Sequence, residues 1–265
     1  MSDPFKIDGP TCISFSGGRT SAYMLWRVLQ SNGGKLPDGA VVCFANTGKE
    51  SPETLQFVHD CSTHWGVPIV WLEFVSRSGD EKYRIVDFAS ASRNGEPFDA
   101  LIAEKKFLPN VVMRFCTEEL KVKPIKAYTQ LEDDETMIGV RADESHRLPK
   151  MRIRGLQVPL AVDGIGKETV REFWKSQPFD LDLIEVNGVT PDGNCDNCFL
   201  KPLGVIVKNA QRNPQGIKWW AKKEIECGGT FSKDRPSYSS IEQFALMQID
   251  IFDPKEEAIS CFCGD

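Results

Sequence analysis

The stretch Thr11-Cys12-Ile13-Ser14-Phe15-Ser16-Gly17-Gly18-Arg19-Thr20-Ser21 decides how the chain is read. Its first five residues are a short, mainly apolar, β-prone run, which two glycines soon break. Beyond them Ala22, Leu25, Trp26 and Leu29 recur at i, i+3, i+4 and i+7, the spacing of an amphipathic helix. Strand, glycine turn and helix in so few residues form the opening half of a βαβ unit. The turn also carries chemistry. Its glycines let backbone N–H groups converge, the helix N-terminus adds its positive dipole end, and the Ser and Thr hydroxyls add donors. That set suits a phosphate, pyrophosphate or sulfate; a plain tight turn of small residues is the alternative. Two common nucleotide fingerprints are absent. There is no G-x-x-x-x-G-K-[ST], and Gly17 and Gly18 are adjacent rather than spaced as in G-x-G-x-x-G.

Working outward, Ala40-Val41-Val42-Cys43-Phe44-Ala45 reads as a buried strand closed by Asn46-Thr47-Gly48. Ser51-Pro52-Glu53 is a helix start, with a cap, a proline and an acid in the first turn. Residues 68–74 and 136–140 read as two more strands. Strands separated by helix-length segments predict an α/β, Rossmann-like fold whose mostly parallel sheet has helices on both faces. Residues 76–110 read as a turn-rich excursion near the ligand side. Past Pro159 the strand signal fades. Residues 167–175, 199–212 and 216–226 look helical, and 186–198 is rich in Gly, Pro, Asn and Asp. The predicted division is a core over 1–188 and a small helical extension over 189–265 that carries a C-x-x-C loop.

The 265 residues, 41% hydrophobic and 26% charged, have ordinary globular usage, which argues against a disordered or fibrous chain. No apolar run approaches the ~18–20 residues of a membrane span. The first residues carry no signal-peptide pattern, so a cytoplasmic location is expected. A formal net charge of −6 gives no global attraction to nucleic acid, although a local basic groove stays open. Nine cysteines, an odd number in a chain of this length, argue against a disulfide framework. They are core residues, metal ligands or redox groups; Cys12, Cys43 and Cys61 fall within strand or helix patterns and read as core.

Other segments follow the glycine turn in a specific order. They are Asn46-Thr47-Gly48-Lys49-Glu50 with Pro52-Glu53-Thr54, then Arg114-Phe115-Cys116-Thr117 with Leu120-Lys121-Val122-Lys123-Pro124. Last comes Gly139-Val140-Arg141-Ala142-Asp143-Glu144-Ser145, followed by Arg147. With S-G-G-x-x-S after the first strand, they resemble the PP-loop ATP pyrophosphatase superfamily from about residue 11 to 200. Within it they resemble the phosphoadenosine phosphosulfate (PAPS) and adenylyl sulfate reductases. The resemblance implies that the core binds an adenine nucleotide: ATP with its magnesium, PAPS or adenylyl sulfate. The phosphate site would be Ser14, Ser16, Gly17, Gly18, Arg19, Thr20 and Ser21, with Thr47, Arg141, Glu144, Ser145 and Arg147 around the nucleotide. Thr20 stands where many pyrophosphatase members have Asp, which leaves ATP cleavage and intact sulfonucleotide binding both open. Read alone, Arg141 and Arg147 lie beyond the C-terminal end of a strand, where open α/β sheets bind ligands, and offer bidentate donors. The alternative is a surface loop in which Asp143 and Glu144 simply pair with them.

Cys195-Asp196-Asn197-Cys198 is one C-x-x-C in a turn-rich loop, open to zinc, iron–sulfur and redox readings. Cys116 supplies a third thiol. The set resembles adenylyl sulfate reductases, where a Cys-Cys pair and a distant C-x-x-C hold a [4Fe–4S] cluster. Here Phe115 replaces the first cysteine of the pair, so only Cys116, Cys195 and Cys198 match as ligands. Three-cysteine clusters also resemble those of enzymes that thiolate transfer RNA. Zinc, with His146, Cys227 or a terminal cysteine as fourth ligand, is the alternative metal. Family reductases carry a nucleophilic cysteine on a C-terminal tail, for which Cys227, Cys261 and Cys263 are the candidates.

The leading expectation is therefore a PAPS-reductase-family enzyme performing sulfur chemistry with an adenine nucleotide. ATP-dependent sulfur insertion into nucleic acid and a non-catalytic nucleotide or cluster sensor are the other two. Expected partners are the nucleotide and a thiol electron donor or sulfur-donor protein. Nucleic acid is not favoured by the net charge, and a homodimer is compatible with the sequence.

Overall fold

A computed structural model describes residues 3–184 and 193–247. Five strands form one sheet: β1 (Thr11–Ser14), β2 (Ala40–Asn46), β3 (Ile69–Phe74), β4 (Tyr83–Val86) and β5 (Thr136–Ile138). Their order is β4-β3-β2-β1-β5, with every pairing parallel except β3–β4. The parallel members are the four strands read from the sequence. Alternate side chains of each face opposite sides, and both sides are covered. Ile13, Val42, Phe44, Trp71 and Met137 belong to the core that also holds Leu25 and Val28 of α1 (Arg19–Ser31). Leu55 and Val58 of α2 (Pro52–Trp65) and Trp174 complete it. Cys12, Cys43, Ala45 and Leu72 pack on the other side with Ile125. Cys61 is buried with the first set, so all three cysteines read as core are core.

Residues 76–110 hold more than turns. β4 is a short antiparallel edge strand with Ile85 facing solvent at 60% exposure, so it lacks the apolar alternation that would have marked it. Buried Glu73 explains its position: Glu73 accepts from Asn46, from the Ser92 N–H and hydroxyl, and from Arg84 of β4. Helix α3 (Glu96–Lys105) follows and buries Phe98, Leu101 and Ile102.

The next helical run starts as α4 (Phe115–Thr117), widens into a π-helical stretch over Glu118–Val122, and continues as α5 (Lys123–Thr129). Pro124 has no N–H to give the Leu120 carbonyl, so an unbroken α ladder cannot run through this point. The wider register closes instead from Lys123 N–H to Glu118 C=O. After β5 come α6 (Leu148–Arg154), α7 (Pro159–Val162) and α8 (Lys167–Lys175). Three further helices are α9 (Leu203–Arg212), α10 (Pro214–Cys227) and α11 (Tyr238–Leu246).

These last three helices build a second core around Trp220, Phe199, Phe231 and Tyr238. Phe74, Phe98, Leu101, Ile102 and Leu120 complete it from the N-terminal part of the chain. The division expected at 188/189 lies outside the described residues. No helix among the described residues is long and apolar enough to cross a membrane.

Candidate functional site

Strand order reverses at β1, whose neighbours are β2 and β5, and ligands of open α/β sheets bind at such a switch point. The glycine turn leaves β1 there. Gly17 has φ +83°, and a Cβ on it would stand 2.7 Å from Thr54 Cγ2. Only glycine fits that backbone. Gly18 caps α1 with no side-chain bond, and the Ser16 and Ser21 hydroxyls lie 2.9 Å apart. Ser21 Oγ also accepts from the Ser16 N–H at 3.2 Å and donates to the Gly18 carbonyl at 3.0 Å. Gly139 brings the end of β5 against this turn, since a Cβ there would meet Ser21 Cα at 3.0 Å.

A cavity of about 310 Å³ opens between the turn, the π-helical stretch and α6. Of the predicted site residues, Ser14, Ser16, Ser21 and Arg147 line it. Arg114, Lys121, Lys126, Lys150 and Arg154 join Arg147 on its walls, against two acids, Glu118 and Asp133. Six cations facing two carboxylates suit a polyanion. The five cations other than Arg147 were not among the predicted site residues, although for Lys150 and Arg154 the sequence held a signal. Arg147, Lys150, Met151 and Arg154 follow i, i+3, i+4, i+7 spacing and form one helical face. Arg154 donates to Asp133 at 2.7 Å and Lys126 pairs with it at 2.7 Å. The bond from Arg154, then that from Lys126, hold the Asp133 carboxyl below the usual range.

Other predicted phosphate-site residues sit behind the surface of this cavity. The Arg19 guanidinium grips Asp180 at 2.7 and 2.9 Å and the Leu181 carbonyl at 2.9 Å, while Trp174 Nε1 donates to the Arg19 carbonyl. Arg19 thus anchors the start of α1 rather than facing the cavity. Arg141 donates to the Thr20 hydroxyl at 3.0 Å and to Asp143 at 3.0 Å. Glu144 accepts from the Arg141 N–H at 2.8 Å and from Arg147 at 2.6 Å, and Ser145 is exposed beside it. The pairing of both acids with the arginines, the plainer alternative for this loop, is present. Arg147 remains on the cavity wall while paired.

Thr47 faces another way. Its hydroxyl lies 3.5 Å from Cys195 Sγ and bonds the buried Glu50, whose other oxygen takes Lys121 Nζ at 3.1 Å. The C-x-x-C loop is fastened to this turn through the Glu50–Cys195 bridge, an Asp196 N–H to Lys49 carbonyl bond of 2.7 Å, and the Lys49–Asp196 ion pair at 3.0 Å. Trp220 Nε1 holds the other Asp196 oxygen at 2.8 Å. Cys116, Cys195 and Cys198 consequently line one small cavity of about 20 Å³, walled by Phe98, Leu120, Phe199 and Trp220. Burial, and secondarily Glu50, pushes the Cys195 thiol well above its ordinary pKa. Among the described residues no group of three or more His, Cys, Asp or Glu is arranged to hold a metal ion. By donor chemistry, thiols are soft ligands.

The two cavities share a wall. Thr117 and Lys121 line both. Cys227, at the end of α10, lines neither, and burial raises its thiol pKa. Cys261 and Cys263 lie outside the described residues.

The sequence matches the phosphoadenosine phosphosulfate reductase domain over residues 10–159. It is 35% identical to an uncharacterized nin region protein of Escherichia phage lambda over 216 residues, 75% of this chain and 70% of that protein. It is 31% identical to an uncharacterized protein of Methanocaldococcus jannaschii over 152 residues. That stretch is 56% of this chain and 26% of the relative.

Proposed function

The chain belongs to the phosphoadenosine phosphosulfate reductase domain family, and from that premise we propose an enzyme that binds an adenine nucleotide in the cavity of about 310 Å³ and performs sulfur chemistry beside it. One observation carries this reading: Thr117 and Lys121 divide a cation-lined cavity at the phosphate turn from a cavity lined by three thiols. In this reading phosphate oxygens accept from the Ser16 and Ser21 hydroxyls and the N-terminus of α1, while Arg147, Lys150 and Arg154 take the outer charge. Arg141 acts through Thr20, fixing the turn. Lys121 lies between the two cavities, bonded to Glu50, where its ammonium offsets charge on a departing phosphate.

With PAPS or adenylyl sulfate, a thiolate attacks the sulfur. An S–S bond forms, the bond from sulfur to the bridging oxygen breaks, and the nucleotide leaves with that oxygen's electron pair. Among the described residues no cysteine lines the nucleotide cavity, so we assign the attacking thiol to Cys261 or Cys263 ahead of Cys227. Cys116, Cys195 and Cys198 would hold a [4Fe–4S] cluster, or zinc in the alternative. A cluster there would supply electron-transfer and sulfur-carrying capacity next to the nucleotide. The same absence of a described thiol in the nucleotide cavity favours a second reading, ATP-dependent sulfur transfer to an acceptor through the three-cysteine site.

Anaerobic purification with iron and sulfide analysis, then calorimetry with Mg-ATP, PAPS and adenylyl sulfate, tests the proposal. One nucleotide is expected to bind per chain, and the double variant Ser16→Ala/Ser21→Ala should weaken it by tenfold or more. No saturable binding of any of the three would end this reading.

A further inference from the structure

Lys121 is bonded to a residue that lines neither of the two cavities it divides. Its ammonium reaches Glu50 Oε1 at 3.1 Å, and the Glu50 side chain has no exposed surface. The other oxygen of that carboxylate gathers the turn beside the thiol loop: Oε2 accepts from the Thr47 N–H at 3.0 Å and from the Thr47 hydroxyl. That hydroxyl accepts in turn from the Lys49 N–H at 3.2 Å and lies 3.5 Å from Cys195 Sγ. The Glu50 backbone bridges to Cys195, and the Lys49 carbonyl takes the Asp196 N–H at 2.7 Å. One buried carboxylate thus fixes the turn to which the thiol loop is fastened. A cation on the wall of the larger cavity balances its charge.

Other ion pairs on that wall are arranged differently. Arg154 and Lys126 share Asp133, which lines the same cavity, and Arg147 bonds Glu144 in its own loop. An anion that draws one of these acts within the cavity, whereas one that draws Lys121 also acts on the thiol loop. A carboxylate with no exposed surface is costly without its cation. When Lys121 turns to a phosphate, Glu50 Oε1 loses that donor, and a carboxylate that swings towards another takes Oε2 away from Thr47. We propose that Glu50 is a positioning residue that couples the two cavities. With Lys121 on Glu50 the thiol loop is held, and an anion that withdraws Lys121 loosens residues 47–50 and 195–198. The nucleotide as that anion rests on the function proposed above; the hold of Lys121 on the loop does not. Coupling between sites is reciprocal, so removing the charge that holds Lys121 should tighten the anion.

Hydrogen exchange over 47–50 and 195–198, with and without ATP, tests this, because the Thr47, Lys49 and Asp196 amides are bonded within the arrangement. ATP should speed exchange about threefold or more in both segments while slowing it at the phosphate turn, 16–21. Lys121→Met without ATP should reproduce the faster exchange. Glu50→Gln should tighten ATP several-fold in calorimetry. A pair with a structural role alone predicts otherwise: exchange slowed or unchanged throughout on binding, and ATP no tighter in the Glu50 variant. ATP that binds without speeding exchange in the two segments would overturn the coupling and leave the nucleotide site standing. If no nucleotide binds, the nucleotide reading falls and Lys121→Met decides the coupling alone: unchanged exchange at 195–198 would overturn it. Should that variant not fold, Lys121→Gln, which keeps an N–H donor for Glu50 without the charge, takes its place.

Discussion

Gly17 and Asp133 show how single residues shape the cavity of about 310 Å³ and the turn beside it. At Gly17 any side chain meets both a left-handed backbone and Thr54 Cγ2 at 2.7 Å. Gly17→Ala should therefore cost about 1–3 kcal/mol of stability, read as a lower urea midpoint with an unchanged slope. Asp133 is the acid that restrains Arg154 and Lys126 on the cavity wall. Its carboxyl is held below its ordinary value by the Arg154 bond first and the Lys126 bond second. A carboxyl with a depressed native pKa binds fewer protons folded than unfolded. Its contribution is present above the unfolded value of 3.8 and disappears as pH falls through the lower native one. Asp133→Asn should lower stability at pH 7 by about 1 kcal/mol or less, because the group is partly solvated, and the difference should vanish in acid. The same change frees two cations and should tighten ATP binding several-fold. Thermal melts followed from pH 7 down to pH 2, with one ATP titration, check both halves, and a stability loss that does not shrink as pH falls below 3.8 would contradict the ion-pair account.

At the scale of elements, the helical run from Phe115 to Thr129 matters most, because its two faces line two cavities. Thr117, Glu118, Lys121, Val122, Ile125 and Lys126 line the larger cavity, and Cys116, Thr117, Leu120 and Lys121 the thiol cavity. Glu119 anchors the run: burial pulls its carboxyl up, yet Lys123 and Lys105 hold it below the usual range. The sequence revealed the four parallel strands and the glycine turn, and singled out three cysteines that line one cavity, because each carries a local signal: an apolar run, a fixed glycine pair, a spacing. It did not reveal β4, whose exposed Ile85 breaks the alternation, nor that Thr47 serves the thiol side. That assignment depends on the docking of a loop nearly 150 residues away, which no local pattern encodes. The docking is held by the Lys49–Asp196 pair, with Lys49 only 5% exposed. Asp196→Ala leaves a buried ammonium without its carboxylate and should cost about 3–5 kcal/mol. Lys49→Met removes the charge while keeping the bulk, and Asp196 keeps its bonds from Trp220 and the Asn197 N–H, so the loss should be smaller. Urea unfolding of both variants checks the order, and equal losses would mean that the pair does not hold the loop.

Across the whole molecule there are two cores, and the thiols lie in the second. One packs the sheet against α1, α2 and α8; the other packs α9, α10 and α11 against Phe98, Leu101 and Leu120. Cys116 comes from the N-terminal part of the chain and Cys195 and Cys198 from the C-terminal part, so any metal or cluster bound by all three ties these parts together. Burial keeps Cys195 in its thiol form, and metal binding must expel that proton, so loading should strengthen as pH rises. A ligand that binds only the folded state raises its stability in proportion to the logarithm of its saturation, about 2.7 kcal/mol at a hundredfold excess over the dissociation constant. That gain belongs to the junction. Anaerobic loading with iron and sulfide should raise the melting temperature and slow hydrogen exchange in 195–246 more than in β1, β2 and β3. Cys116→Ser should abolish both effects and leave the sheet's exchange as it was. Stoichiometric zinc with no iron would place a structural metal at the junction. A parent protein that takes up neither metal, and whose exchange matches that of Cys116→Ser throughout, would reduce the three cysteines to packing residues of the second core.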